Sequence, residues 1–454
     1  MKILNTLICG AIVAVSGAGT AIAAERVVVY PTGQFPADVE NVQSAIDSLH
    51  AAGVDGVLVL KAIDAGGTPT PFNFGDDPDP MNRGSIIIGG DPSGSISIRG
   101  TKDDDDDDNG PWTTIYGGFV PITMQRRDDF EVRNVRFDGA FQHAILVQSA
   151  TNTIIKNNQI LDTVGYPDFF RDPNDPSQGI FPLTRAIYLE GLGFNADEIT
   201  GKILIKANLI DTATAAFTDG ITTFFTNAKT TVGNNTIRGI NVGIRQDAFL
   251  QSFDAVENEI SAFVPAPFFF SGGITASCGN GEDAQVRIKD NEVAVADDAG
   301  GQAAAIALVG DDFFSPACTI TNAEIKGNEI QLTNAFSGIS VGAFGFAGGN
   351  VSFTGNSIKD NEIAGTTLFG IEVFAFIDST LPMPTTVMIS GNEFEDIDMN
   401  GLESTGADWF FDSFTSHNTA NVDAADSILD LGVGNRFIVS DGGDDEDEDK
   451  DEED

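Results

Sequence analysis

An asparagine followed two residues later by an apolar residue recurs down most of this chain, as in Asn158-Gln159-Ile160, Asn208-Leu209-Ile210 and Asn328-Glu329-Ile330. The series runs Asn134, Asn158, Asn208, Asn235, Asn258, Asn291, Asn328, Asn356, Asn392 and Asn435. Asn134 and Asn158 stand 24 residues apart and Asn235 and Asn258 stand 23 apart, so a unit of that length is stretched elsewhere by insertions. A repeat of this period restricts the chain to an architecture of stacked identical units.

A second element travels with the first: a small residue, then Ile or Leu. It appears as Ala144-Ile145, Ala186-Ile187, Gly220-Ile221, Gly243-Ile244, Gly273-Ile274, Ala305-Ile306, Gly338-Ile339, Gly370-Ile371 and Gly401-Leu402. Each unit therefore reads as two short alternating β segments, a turn between them and a variable excursion. Such a pair cannot bury its own apolar face. Coils stacked about 4.8 Å apart share one core and pair each strand with its neighbours, which makes the expected fold all-β, a parallel β-helix. The asparagines suit a left-handed turn and can hydrogen-bond from coil to coil.

With these repeats the chain resembles the right-handed parallel β-helix proteins of the pectin-lyase-like superfamily over roughly residues 36–440. The resemblance extends to the N-terminal segment, where Val39, Val42, Ala45, Ile46 and Leu49 form one apolar helix face before Gly53 and the strand Val57-Leu58-Val59-Leu60. Such a helix is similar to the cap that closes the first coil in that family. The fold implied is a right-handed solenoid with an N-terminal capping helix; it does not name a function.

Residues 1–24 read as a secretory signal, with Lys2, an apolar run from Ile8 to Val15 and the small-residue end Ala21-Ile22-Ala23-Ala24. Export to the periplasm or beyond is expected, with one solenoid over 25–443 and an acidic tail over 444–454. No later segment has the roughly 18 continuous apolar residues of a membrane span. Only Cys278 and Cys318 remain after cleavage, and an oxidising compartment makes a disulfide between neighbouring coils the expectation. The net charge is −44, which disfavours nucleic acid and anionic membranes as partners and favours bound cations. The runs Asp103–Asp108 and Asp444–Asp454 read as solvated loop and tail without EF-hand spacing.

Down the second-motif strand, polar and ionisable residues fall on four consecutive units. His143, Arg185, Tyr188, Glu190, Asp219, Arg245 and Asp247 are expected to share one outer patch, about 14 Å long at 4.8 Å per coil. The long excursion from Val164 to Pro182 leaves from this region and carries Tyr166 and Arg171, which could wall a groove and touch a substrate. Glycosidic cleavage needs two carboxyl groups for hydrolysis, or a base, an acid and a neutraliser of a uronate carboxylate for elimination. Arg185 and Arg245 could hold a carboxylate, and His143 or Tyr188 could exchange protons. Asp219, Glu190 and Asp247 could act as acids, and Glu190 and Asp247 could hold Ca²⁺; no cofactor is required.

Thr218-Asp219-Gly220-Ile221 resembles part of a polygalacturonase motif, with Asp219 at its acidic position. Phe217 replaces the Asn of that motif, Val242-Gly243 stands where paired aspartates belong, and no Gly-His-Gly follows, which argues against a polygalacturonase. Two further columns carry charge: Lys156, Lys206, Lys289 and Lys326 precede the asparagines, and Glu259, Glu292, Glu329, Glu362 and Glu393 each follow one. Stacked carboxylates repel, so neighbouring cations are expected to compensate, along a solvated edge. The 34 Phe against four Tyr and two Trp point to internal stacking rather than sugar platforms. The sequence thus supports a polysaccharide or cell-surface glycan as partner, through a lyase or hydrolase of an anionic glycan or through a non-catalytic adhesive or structural solenoid.

Overall fold

The computed structural model describes residues 24–90, 94–101, 111–163, 184–212, 218–249, 251–264, 272–278, 283–297, 303–311, 317–345, 350–377, 383–384, 387–390, 392–395, 407–411, 415–416, 418–423, 426 and 428–440. Residues 1–23 of the expected signal, the two aspartate runs and Gly401-Leu402 lie outside these residues.

The described strands form a parallel β-helix whose coils have three sides, one more than the sequence pattern shows. In one coil these are His143–Ser149, Thr153–Lys156 and Gln159–Leu161; in the next they are Thr184–Glu190, Thr200–Lys206 and Leu209–Asp211. Every side pairs in parallel with its equivalent one coil on. Alternation then fixes the core as three stacked columns. Ile145, Ile187, Ile221, Ile244, Ile274 and Ile306 stack on the first side. Val132, Ile155, Ile205, Val232, Ala255 and Ile288 stack on the second. Phe137, Ile160, Ile210, Ile237, Ile260 and Val293 stack on the third, and all three columns are buried. Each such isoleucine contributes about 1.5–3 kcal/mol of burial.

The small residue before each first-side isoleucine has a packing reason. A Cβ on Gly220 would lie 2.6 Å from the Gly243 carbonyl oxygen, and one on Gly243 would lie 2.4 Å from that of Gly273.

The asparagine ladder turns the corner between the second and third sides. Asn158 donates from its backbone N–H and from Nδ2 to Oδ1 of Asn208, at 3.0 Å each, and Nδ2 also donates to the Val132 carbonyl at 3.1 Å. The same bonds carry the ladder through Asn208, Asn235, Asn258, Asn291, Asn328, Asn361 and Asn392. The amide thus satisfies the buried polar groups of the corner. The left-handed residue is the one before it, such as Asn157 (φ 54°), Ala207 (φ 54°) and Glu257 (φ 54°).

Two positions of the expected ladder are therefore corrected. Asn134 (φ 57°) occupies the left-handed position itself, and Val135 follows it into the core. Asn356 accepts from the Ala323 N–H, while the ladder passes through Asn361. A second ladder pair, Asn418 to Asn435, lies near the C-terminal end.

The helix Ala37–Ala52 caps the first coil with Val42, Ala45, Ile46 and Leu49 buried, and it ends at the left-handed Gly53 (φ 62°). Buried Asp38 fastens it by accepting from the N–H of Thr32 at 2.6 Å and of Asn73 at 2.8 Å.

Replacing Asn258 by Leu removes the acceptor of two Asn235 donors, and one unsatisfied buried donor costs about 1–3 kcal/mol. Urea unfolding of the N258L variant is expected to show a loss of about 2–4 kcal/mol, whereas Asn→Ala at exposed Asn82 is expected to stay within about 1 kcal/mol. Equal stability of the two variants would contradict the ladder's role.

Candidate functional site

The first side brings the candidate residues into register. His143 pairs with Arg185 and Arg185 with Asp219; Tyr188 pairs with Thr222 and Thr222 with Arg245. Glu190 and Asp247 both flank Phe224. Tyr188, Glu190, Arg245 and Asp247 stand one or three residues after an inward isoleucine and point away from the core by alternation, whereas His143, Arg185 and Asp219 stand two residues before one, across the small residue of the motif.

The expectation of an open outer patch is corrected by burial. Asp219 is fully buried, and His143 and Tyr188 expose 3% and 7% of their surface; Arg185, Glu190, Arg245 and Asp247 are half-buried. The cluster is therefore a set of partly desolvated charges, in which electrostatic interactions are stronger than at an exposed edge.

Its geometry centres on Arg185 and Tyr188. The Arg185 guanidinium lies 4.2 Å from the Tyr188 ring centre, and its Nε lies 3.8 Å from Asp219 Oδ2. The His143 and Tyr188 rings are 5.2 Å apart, tilted by 55°. His143 Nδ1 sits 3.1 Å from the backbone nitrogen and the carbonyl oxygen of Arg185. Thr222 donates to Asp219 Oδ2 at 3.3 Å, and Ser277 donates to Asp247 Oδ1 at 2.7 Å. Two atoms keep unmet hydrogen-bonding capacity although buried: Nε of Arg185 and Oδ1 of Asp219.

Protonation follows from this packing. Burial, reinforced by the Arg185 charge, lowers the His143 pKa to about 3, so the imidazole is neutral. His143 is thus a weak base, and its Nδ1 lies against the Arg185 backbone while its ring faces that of Tyr188. Burial raises the Tyr188 pKa, with Glu190 and Asp247 adding to the rise and Arg185 opposing it, so the phenol keeps its proton. Burial raises the carboxyl groups of Asp219 and Asp247 against the opposing pull of Arg245. Burial works against the Arg245 charge, and the carboxylates of Asp219 and Asp247 more than offset it.

Tyr166 and Arg171 lie outside the described residues. The strand register sets Cys278 beside Gly310 and Cys318 beside Val351, and the pairing of the two thiols lies outside what is described. Among the described residues no group of three or more His, Cys, Asp or Glu could hold a metal ion, and no helix is long and apolar enough to cross a membrane.

The glutamates stack in register on the third side: Glu259, Glu292, Glu329, Glu362 and Glu393. Arg238 pairs with Glu259 at 2.6 Å, but the expected compensation by the lysine column goes elsewhere. Lys289 and Lys359 pair with Glu324 at 2.5 and 3.7 Å, and Lys326 pairs with Asp360 at 3.3 Å. Thr222, Ser277 and the partnerless Asp219 Oδ1 join the site only through the register.

No family model matches this chain, and no curated protein matches it. Among solved structures it is similar to the A-module of the mannuronan C-5 epimerase AlgE6 of Azotobacter vinelandii, with 14% identity and a TM-score of 0.42, covering 88% of this chain and 95% of that one. A likeness of this size carries no activity across.

The lowered His143 pKa has a testable sign. The folded state binds fewer protons than the unfolded chain between pH 6.5 and about 3, so His143's contribution to stability is full above pH 6.5 and is lost as pH falls through that window. The chain has three histidines. Imidazole ¹⁵N spectra at pH 5 are expected to show His143 neutral, and a protonated His143 there would contradict its burial.

Proposed function

We propose that the chain is an exported β-helix protein of the pectin-lyase-like kind that binds an anionic polysaccharide on the first side of its middle coils and cleaves it by β-elimination. The observation that supports this most is the unmet hydrogen-bonding capacity of Arg185 Nε and Asp219 Oδ1, both buried beside a protonated tyrosine. Buried polar atoms without partners are costly, and functional sites are among the places that retain them.

In this reading Arg185 and Arg245 take the uronate carboxylate and stabilise charge that develops there as the adjacent proton leaves. Glu190, whose charge acts on the Tyr188 hydroxyl, accepts that proton. The bond from the ring to the glycosidic oxygen breaks, a carbon–carbon double bond forms, and Tyr188 gives its proton to the leaving oxygen. Glu190 then returns a proton to Tyr188. His143 and Asp219 hold Arg185 and Tyr188 in place. A non-catalytic solenoid is the alternative, favoured by the full burial of Asp219 within an internal ion pair.

The test is release of unsaturated chain ends from alginate, pectate, glycosaminoglycan and neutral glycans, read by ultraviolet absorbance, with Ca²⁺ and with chelator. The intact protein is expected to cut an acidic member of the panel. Y188F is expected to lose about 100-fold or more in kcat, with binding retained, and R185Q to weaken binding. Silence across the whole panel would move the reading to the non-catalytic alternative.

A further inference from the structure

The second side of the coils carries a feature that the first-side site does not use. Arg99, Arg133, Lys156 and Lys206 stack in register on four consecutive coils, and Lys202 stacks on Lys229. Like charges directly opposite one another destabilise a sheet. Arg99 and Arg133 meet this cost through Glu131, at 3.1 and 3.5 Å. On later coils Arg287 pairs with Asp254 at 2.8 Å, and Lys289, Lys326 and Lys359 pair with Glu324 or Asp360.

Lys156, Lys202, Lys206 and Lys229 are different. Among the described residues no carboxylate lies within ion-pair distance of any of the four. The chain holds 68 acidic residues against 24 basic ones, so leaving two stacked lysine pairs, Lys156 on Lys206 and Lys202 on Lys229, without acids runs against its own composition. Lys202, Lys206 and Lys229 are exposed to solvent.

Beside these lysines the same face opens into a cleft of about 620 Å³, lined by Lys202, Lys229, Thr231, Gln251, Ser252 and Gln285 among others. It crosses four coils, about 14 Å at the usual strand spacing. Its lining also includes the ion pair of Asp254 and Arg287, so its unpaired charge is the two ammonium groups, set beside hydroxyl and amide groups that match a chain alternating carboxylates with hydroxyl groups.

We propose that this second-side track is a binding site for a linear acidic polysaccharide, separate from the first-side cluster, with Lys156, Lys202, Lys206 and Lys229 taking its carboxylates and Thr231, Ser252 and Gln285 its hydroxyls. The ligand class rests on the function proposed above; the location does not. The track holds a long polymer along the solenoid while another stretch of it, or another chain, occupies the first side. It also gives a chain of net charge −44 a local positive surface through which to approach a polyanion.

The experiment compares the full protein with the K202Q/K206Q/K229Q variant in calorimetric titrations with a size-defined polyuronate, a neutral glucan and poly-glutamate, at several salt concentrations. All three lysines are exposed, so the variant is expected to melt as the parent does, and thermal unfolding checks this. The polyuronate is expected to bind the variant at least 10-fold more weakly, with a shallower salt dependence by about one charge per lysine removed, and the glucan is expected not to bind either protein. Unchanged affinity and salt slope in the folded variant would overturn the track, as would tighter binding of poly-glutamate than of polyuronate. The Y188F variant, in which binding is expected to be retained, separates the two readings: lost chain cleavage with polyuronate affinity intact places cleavage on the first side and leaves the track untouched, whereas intact cleavage in Y188F with lost binding in the lysine variant overturns the first-side reading alone. Should the triple variant fail to fold, K229Q alone carries the same comparison at about one charge of slope.

Discussion

The structure depends on one constraint: every coil must turn two tight corners in its interior without leaving a backbone or amide group unpaired. The buried asparagine solves this at the corner between the second and third sides. Its Oδ1 takes two donors from the preceding coil, and its Nδ2 reaches both the following asparagine and a strand carbonyl. Because each amide completes its neighbour, insertions are tolerated only between the corners. The excursions that lengthen the repeat therefore vary while the strand register stays fixed, and the register decides which side chains meet.

The candidate site is a product of that register rather than of any local motif. Arg185, Asp219 and Arg245 come from three coils separated by long stretches of sequence, yet their Cα atoms stand in neighbouring ladders. Partial desolvation then does the chemical tuning. It holds His143 neutral and keeps the Tyr188 phenol protonated, while the carboxylates of Asp219 and Asp247 hold Arg245 charged against it. Burying ions is expensive unless they are paired and hydrogen-bonded. The incomplete satisfaction of Arg185 and Asp219 separates this cluster from the fully paired Arg287 and Asp254 on the second side.

Much of the fold was legible because the periodic positions are those that stacking constrains most tightly. The inward isoleucines, the small residues before them and the apolar helix face of Val42, Ile46 and Leu49 all lie where the pattern put them. The third side was not legible, because a strand as short as Gln159–Leu161 merges with the asparagine motif before it. Asn134 and Asn356 were misplaced because asparagine suits both the left-handed position and the buried one next to it. For the site, sequence supplied the residues and the side of the coil. It could not supply burial, since a strand's outer face is covered or open according to distant parts of the chain. The lysine column was visible too. Which lysines lack an acid became apparent only when Glu324 and Asp360 were seen reaching Lys289, Lys359 and Lys326.

The most direct test of the account is proton exchange at the carbon next to the uronate carboxylate. A polyuronate incubated with the protein in D₂O and followed by NMR is expected to acquire deuterium at that carbon or to lose it to a double bond, and to do neither with Y188F. A substrate that binds but keeps that hydrogen through long incubation would contradict catalysis at the Arg185 and Tyr188 cluster and leave the protein a polysaccharide-binding solenoid.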